Sequence, residues 1–152
     1  MRIKKKIIKI SKYISLTEKK IYLKKSEEVY HSLNQQDYVS ILAITKNKKF
    51  LLVKQYRPAI EKKTLELPGG LVDKNENHLI SAKRELAEET GYSAEKIIYL
   101  GSFFPDVGRL ENKLHCYFSM NVEPIKNFKP EKNVNVIEVT LNELKSLLQK
   151  KK

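Results

Sequence analysis

Residues 70–92 read GLVDKNENHLISAKRELAEETGY, and the fold turns on this stretch. From His78 to Thr90 nothing breaks a helix, and Gly91 stands where a helix end calls for a left-handed residue. At 100° per residue, Glu85, Glu88 and Glu89 fall within one arc about 100° wide. Leu79, Ala82 and Leu86 occupy an adjoining arc suited to a core. Three carboxylates so close repel by about 0.2–0.5 kcal/mol per like-charged pair on an exposed helix. Arg84, four residues before Glu88, relieves part of that repulsion, and a divalent cation would relieve far more. Magnesium takes hard oxygen ligands and keeps several waters, so a few carboxylates on one helix face suit it. A solvated acidic face would carry the same three glutamates, so the helix alone leaves both readings open.

Working outward, Pro68-Gly69-Gly70 is a turn signal that stops a strand at residues 64–67. Further upstream, residues 38–45 and 50–56 are two β-rich runs joined by the polar link 46–49, which reads as a hairpin. Pro58 closes the second run, because proline has no N–H for a ladder. Residues 7–10, 13–16 and 21–23 read as short strands separated by lysines, and residues 29–33 are ambiguous. Downstream, residues 97–104, 114–120 and 134–139 complete the strands. Thr140 with Glu143 three positions on is a capping box. It announces a last helix whose Leu141, Leu144, Leu147 and Leu148 give one face to bury. The pattern implies an α/β sandwich with a mixed sheet, a central helix and a C-terminal helix, plus short N-terminal strands. No repeat or linker divides the chain. Residues 1–152 therefore read as a single domain, with 1–36 as N-terminal strands and 37–152 as a catalytic core.

The composition suits one domain: 152 residues, 41% of them apolar, with thirteen Tyr and Phe. No run approaches the roughly 18 apolar residues of a membrane span. Residues 1–10 alternate lysine with isoleucine and offer no uninterrupted apolar stretch for a secretory leader. The single cysteine, Cys116, rules out an internal disulfide and suits a reducing compartment. These features point to a cytoplasmic protein without a membrane partner. The net charge of +12 invites a nucleic-acid reading, yet only Arg2, Arg57, Arg84 and Arg109 among thirty basic residues are arginine. Arginine's bidentate fork is the usual reader of phosphates and bases. Lysines scattered along the whole chain fit a solvated surface and argue against nucleic acid as the partner. They would still attract polyphosphates over long range at low salt. His31, His78 and His115 have no ligand-like spacing with Cys116, so no zinc site is expected.

The spacing in residues 70–92 resembles the Nudix signature. That signature is a glycine, five residues, Glu, seven residues, Arg-Glu, a bulky apolar residue, any residue, Glu-Glu, any residue, Gly and a final apolar residue. Here the positions are Gly70, Glu76, Arg84, Glu85, Leu86, Glu88, Glu89, Gly91 and Tyr92. Only Tyr92 departs mildly, from an aliphatic end. At residue frequencies of roughly 5–7%, the fixed positions match by chance on the order of 10⁻⁹ per window. The resemblance implies a Nudix-type α/β/α sandwich and hydrolysis of a diphosphate linkage with Mg²⁺, Mn²⁺ being an admissible substitute. It implies metal ligation by Glu85, Glu88 and Glu89 and by the carbonyl of Gly69. Arg84 would orient the glutamates and Glu76 would support the loop–helix geometry. The general base would be a helix glutamate, Glu88 or Glu89, or one on a later loop, where Glu111 and Glu131 are the candidates.

Outside the signature, residues 51–58 (LLVKQYRP) and 65–70 (LELPGG) resemble the branch that cleaves ADP-ribose and nucleoside diphosphate sugars. In that branch the arginine after the Gln-aromatic pair contacts substrate phosphate, which selects Arg57. Glu66 would add a carboxylate near the metal or a substrate contact. Arg109 would reach phosphate or pair with Glu111. The branch carries a proline slightly further on than Pro105, which comes thirteen residues after Tyr92. Phe103 and Phe104 read as a wall for a base or as core, with at least one of them in the core. Members commonly dimerise through N-terminal strands, so residues 7–23 would serve a homodimer. Two other functions compete: a nucleoside-triphosphate pyrophosphohydrolase, and a non-catalytic nucleotide or RNA sensor. The Gln-Tyr-Arg and Glu-Leu-Pro context argues against the first, and the intact glutamates argue against the second.

Overall fold

The structure is a computed structural model that describes residues 1–129 and 133–149. Its first three strands, β1 (Arg2–Lys9), β2 (Ser15–Tyr22) and β3 (Glu27–Asn34), form an antiparallel sheet in that order. This corrects the expectation of short strands. The chain runs as β1, turns where Ile10 and Ser11 donate their backbone N–H groups to the Ile14 carbonyl, and returns as β2. The ambiguous residues 29–33 lie inside β3. Lysine does not end these strands because every residue of β1 is exposed, so no apolar face has to continue through it.

The second sheet carries β4 (Tyr38–Thr45), β5 (Phe50–Arg57), β6 (Lys62–Glu66), β7 (Gly69–Leu71), β8 (Tyr92–Ser93), β9 (Ile98–Phe103), β10 (Leu114–Pro124) and β11 (Val134–Val139). Its spine runs β11-β5-β4-β10-β8. It is mixed, since β10 pairs parallel to β4 while the other pairings are antiparallel. The expected hairpin at 46–49 is present, with Lys48 at φ 58° and the Thr45 N–H donating to the Lys49 carbonyl at 2.8 Å. After one pairing, Ile44 with Phe50, β4 and β5 part. The returning chain fills the opening, β6 alongside β5 and β7 alongside β4. A Cβ on Gly69 would overlap the Val39 carbonyl oxygen, so this close approach of β7 to β4 requires glycine.

Helix α1 (His78–Thr90) starts where Asn77 caps the Leu79 N–H at 2.8 Å and ends at Gly91, φ 72°. It covers the sheet face formed by Val39, Ile41, Ala43 and Leu51, and its Ala82 and Leu86 are fully buried there with Tyr117 and Val122. Leu79, expected in that core, is 39% exposed: it shares the arc of Leu86 and Thr90 but stands in the first turn of the helix, and the buried face includes Ser81, Glu89 and Thr90 further along. Helix α2 (Leu141–Gln149) has the expected capping box: Thr140 N–H donates to Glu143 Oε2 at 2.7 Å, and Glu143 N–H to Thr140 Oγ1 at 3.3 Å. Its leucine face does not form a buried stripe. Leu141, Leu147 and Leu148 are exposed and Leu144 alone is half-buried, because α2 meets little beyond the end of β11. Phe103 and Phe104 are likewise both exposed, so neither is core, a consequence of their place at the open end of β9. Among the described residues no helix is long and apolar enough to cross a membrane. The whole is an α/β fold with a mixed sheet and two helices.

Candidate active site

The opening between β4 and β5 brings together residues from four segments. Arg57, at the end of β5, donates Nε to Glu66 Oε1 at 2.8 Å and Nη2 to Glu66 Oε2 at 2.6 Å. Glu66 also accepts from Thr64 Oγ1. The arrangement is the bidentate fork that carboxylates and guanidinium groups favour. The hydrogen bond with Glu66 holds the Arg57 proton firmly, and the hydrogen bond from Arg57 holds Glu66 below the usual carboxylate range. Arg57 Nη2 also reaches Tyr38 Oη at 3.4 Å, and Tyr38 Oη donates to the Gly69 carbonyl at 2.9 Å. A cleft of about 470 Å³ opens beside this group, bounded by Tyr38, Ser40, Glu66, Leu67 and Pro105.

Helix α1 joins the group through Glu89. This carboxylate is only 6% exposed, accepts the Gly69 N–H at 2.8 Å and takes Gln55 Nε2 at 3.4 Å. One turn away, Arg84 gathers the remaining acids. Its Nη1 donates to Glu85 Oε1 at 2.8 Å and to Glu88 Oε2 at 3.1 Å, its Nη2 to Glu76 Oε2 at 3.0 Å and to the Leu71 carbonyl at 3.2 Å. Arg84 and Ser81 hold the Glu76 carboxyl down to about 2. Arg84 thus ties the loop before α1 to the helix face through Glu76, Leu71, Glu85 and Glu88. A Cβ on Gly70 would overlap the Glu85 carboxylate, so that glycine leaves room for it.

The residues named from the sequence fall into two sets. Gly69, Glu85, Glu88, Glu89, Arg84, Glu76, Arg57 and Glu66 lie on connected segments of one site. Arg109 and Glu111 do not join them. Arg109 stacks over the Tyr30 ring at 5.2 Å and donates to Tyr30 Oη at 2.8 Å, while Glu111 pairs with Lys19 at 2.6 Å and accepts from Ser32 and Asn34. Both therefore tie the 108–111 loop to the N-terminal sheet. Glu131 lies outside the described residues. Tyr38 and Gln55 belong to the site and carried no role in the sequence reading. A tyrosine opening an apolar strand looks like packing, and its hydroxyl partner is 31 residues away.

The donor set fits a hard cation: three carboxylates and a backbone carbonyl, all oxygen. As the side chains stand, no three His, Cys, Asp or Glu among the described residues are gathered closely enough to hold a metal ion. Arg84 draws Glu85 and Glu88 to its own guanidinium, and the Gly69 N–H draws Glu89 inward. Rotation of the Glu85 and Glu88 side chains on α1 is what a bound cation would require.

A carboxylate-bearing helix is held against a glycine loop, beside a clamped arginine, on an α/β fold with a mixed sheet. The NUDIX domain family model matches residues 34–152, and the chain belongs to that family. It is 34% identical over 117 residues to a methanol dehydrogenase activator of Bacillus methanolicus, an overlap covering 75% of this chain and 63% of that protein. It is 32% identical over 114 residues to an ADP-ribose pyrophosphatase of Bacillus subtilis, covering 73% and 62%. The chain thus spans somewhat under two thirds of these relatives' length. The solved structure of an ADP compounds hydrolase superposes with a TM-score of 0.80 over 98% of this chain and 81% of that one, at 19% identity, a likeness of fold.

Proposed function

We propose that the protein is a Nudix hydrolase that cleaves the diphosphate bond of a nucleoside diphosphate sugar such as ADP-ribose, giving a nucleoside monophosphate and a sugar phosphate. The observation that carries this reading is the Gly69–Glu89 hydrogen bond, which sets the carboxylate face of α1 against the Arg57–Glu66 clamp. The likeness to an ADP-ribose pyrophosphatase over 73% of the chain supports it.

In this reading Glu85, Glu88, Glu89 and the Gly69 carbonyl hold magnesium. Bound there, the ion supplies neutralisation of phosphoryl charge and a more acidic water. Arg57, already neutral-paired with Glu66 and fixed in orientation, presents its remaining donors to a non-bridging phosphate oxygen. Its position aligns the bridge with the acidic helix face and lowers the entropy cost of reaching the in-line geometry. Glu88, the most exposed of the three at 54% of its side chain, would take a proton from the attacking water on a carboxylate oxygen not engaged with the ion. Glu131 remains a second candidate for that step. The cleft beside Tyr38 and Pro105 receives one of the groups flanking the diphosphate.

We read residues 1–152 as a single domain, with 37–152 as its catalytic core and the strands of 1–36 serving dimerisation in a cytoplasmic homodimer. Support for the dimer is the outer edge of β1, which among the described residues pairs only with β2 and exposes Ile3, Ile7 and Ile8. The test of function is product analysis with magnesium and ADP-ribose, UDP- and GDP-sugars and nucleoside triphosphates, each with and without chelator. AMP and ribose 5-phosphate as the dominant metal-dependent products support the reading. Pyrophosphate released from a triphosphate as the dominant product overturns it.

A further inference from the structure

We propose that Tyr38 is a positioning residue that couples the phosphate-binding guanidinium of Arg57 to the Gly69 carbonyl beside the carboxylate helix. The inference rests on the diphosphate reading above.

Along β4, burial alternates: Val39, Ile41 and Ala43 face the core, which puts Tyr38 and Ser40 on the opposite side, where they bound the cleft. The Tyr38 hydroxyl has one proton and two acceptor positions, and a guanidinium can only donate. The direction of the chain is therefore fixed. Arg57 Nη2 donates to Tyr38 Oη at 3.4 Å, and Tyr38 Oη donates to the Gly69 carbonyl at 2.9 Å. From the other side of the same residue, Gly69 N–H donates to Glu89 at 2.8 Å. Both polar groups of Gly69 are thus held, one by the arginine arm through Tyr38 and one by α1.

Consecutive hydrogen bonds of one direction polarise each other, so the Arg57 charge strengthens the donation to Gly69. The second consequence concerns Arg57. Glu66 takes Nε and Nη2, and the Tyr38 oxygen is a further stop for Nη2. Among the described residues, Nη1 alone has no hydrogen-bond partner, so its two protons are the ones available to a phosphate. Without the hydroxyl, the two bonds to Glu66 alone hold the guanidinium, which can then hinge about the line they define, and Nη1 loses part of its aim.

The test is a double-mutant cycle on binding, read by titration calorimetry with ADP-ribose in the presence of chelator, so that no turnover intervenes. Tyr38→Phe keeps the ring and should melt within a few degrees of wild type. It should weaken binding about fivefold, and in the magnesium assay raise KM by a similar factor with kcat changed less than about twofold. In the Arg57→Ala background the same change should cost less than about twofold, because the group it positions is gone. Equal losses in both backgrounds would show that Tyr38 only packs, and would overturn its role while leaving the diphosphate reading intact. A wild-type protein that binds no ADP-ribose removes the reading and the role together. Should Tyr38→Phe fail to fold, Tyr38→Leu, which keeps an apolar side chain and likewise lacks the hydroxyl, replaces it in the same cycle with the same criterion.

Discussion

The Glu85 carboxylate occupies the space in which a side chain on Gly70 would stand. The backbone of Gly70 has no left-handed requirement, so alanine fits its conformation and only the end of a flexible glutamate must move. Gly70→Ala should leave thermal stability within about 1 kcal/mol of wild type. Turnover should fall between about tenfold and 10²-fold, as a misplacement near 1 Å would cause. Melting and steady-state kinetics on the same preparation check this. Unchanged kcat would remove Glu85 from the working site.

Glu85→Gln and Glu89→Gln should each lower kcat by on the order of 10²-fold or more at saturating magnesium. The two differ in stability. From the sequence all three glutamates look solvent-side and thermodynamically idle, but Glu89 is buried and accepts the Gly69 N–H. Glutamine keeps an oxygen for that bond, so Glu89→Gln should fold. Glu89→Ala leaves the N–H without its partner and should cost about 1–3 kcal/mol. Denaturant midpoints of the two variants measure the difference, and near-wild-type turnover of Glu89→Gln would sink its assignment.

Arg57→Ala should raise KM for the best substrate by on the order of tenfold, from the loss of a charge-assisted contact worth about 1.5–3 kcal/mol. It also frees Glu66, which would then repel the phosphate. Glu66→Gln should therefore recover part of the loss when added to Arg57→Ala. An unchanged KM in the single variant would leave Arg57 as a structural ion pair with Glu66.

Glu111 sits among Lys19, Ser32 and Asn34, and the bond from Lys19, then that from Ser32, holds its carboxyl down to about 2 from an ordinary 4.5. A carboxyl lowered in the folded state stabilises it fully above its ordinary value, and that contribution is lost as pH falls from about 4.5 towards 2. The N-terminal sheet should loosen from the 108–111 loop in that window. Amide hydrogen exchange in β2 and β3 should accelerate there in the wild type. In Glu111→Gln it should be faster already at neutral pH and flat across the same range. Identical acid profiles would show that the sheet is held by other contacts.

How far the sequence carried depends on where each constraint lives. The α1 boundaries, the Gly91 stop, the 46–49 hairpin and the Thr140–Glu143 box were readable, because each is local chemistry within a few residues. Arg57 beside Glu66 was half-readable: both were named, but their clamp depends on β5–β6 pairing. Tyr38 was not readable, since Gly69 and Arg57 reach it only after β4 and β5 part and the returning chain fills the gap. The burial of Glu89 was missed for the same reason, because helical periodicity places it with Glu85 and says nothing about the Gly69 N–H. The leucines of α2 misled because an amphipathic pattern shows which face could be covered, not that something covers it.

Under the proposed function, the site takes a diphosphate flanked by a group on each side. Such a substrate offers binding energy from both flanking groups to align the bridge, whereas a triphosphate adds only phosphate contacts. The most direct measurement is kcat/KM for ADP-ribose against a set of nucleoside triphosphates, at one magnesium concentration and one enzyme preparation. The value for ADP-ribose, or a related nucleoside diphosphate sugar, should be at least about tenfold above that of any triphosphate and abolished by chelator. A triphosphate hydrolysed to monophosphate and pyrophosphate with the highest kcat/KM of the set would contradict it.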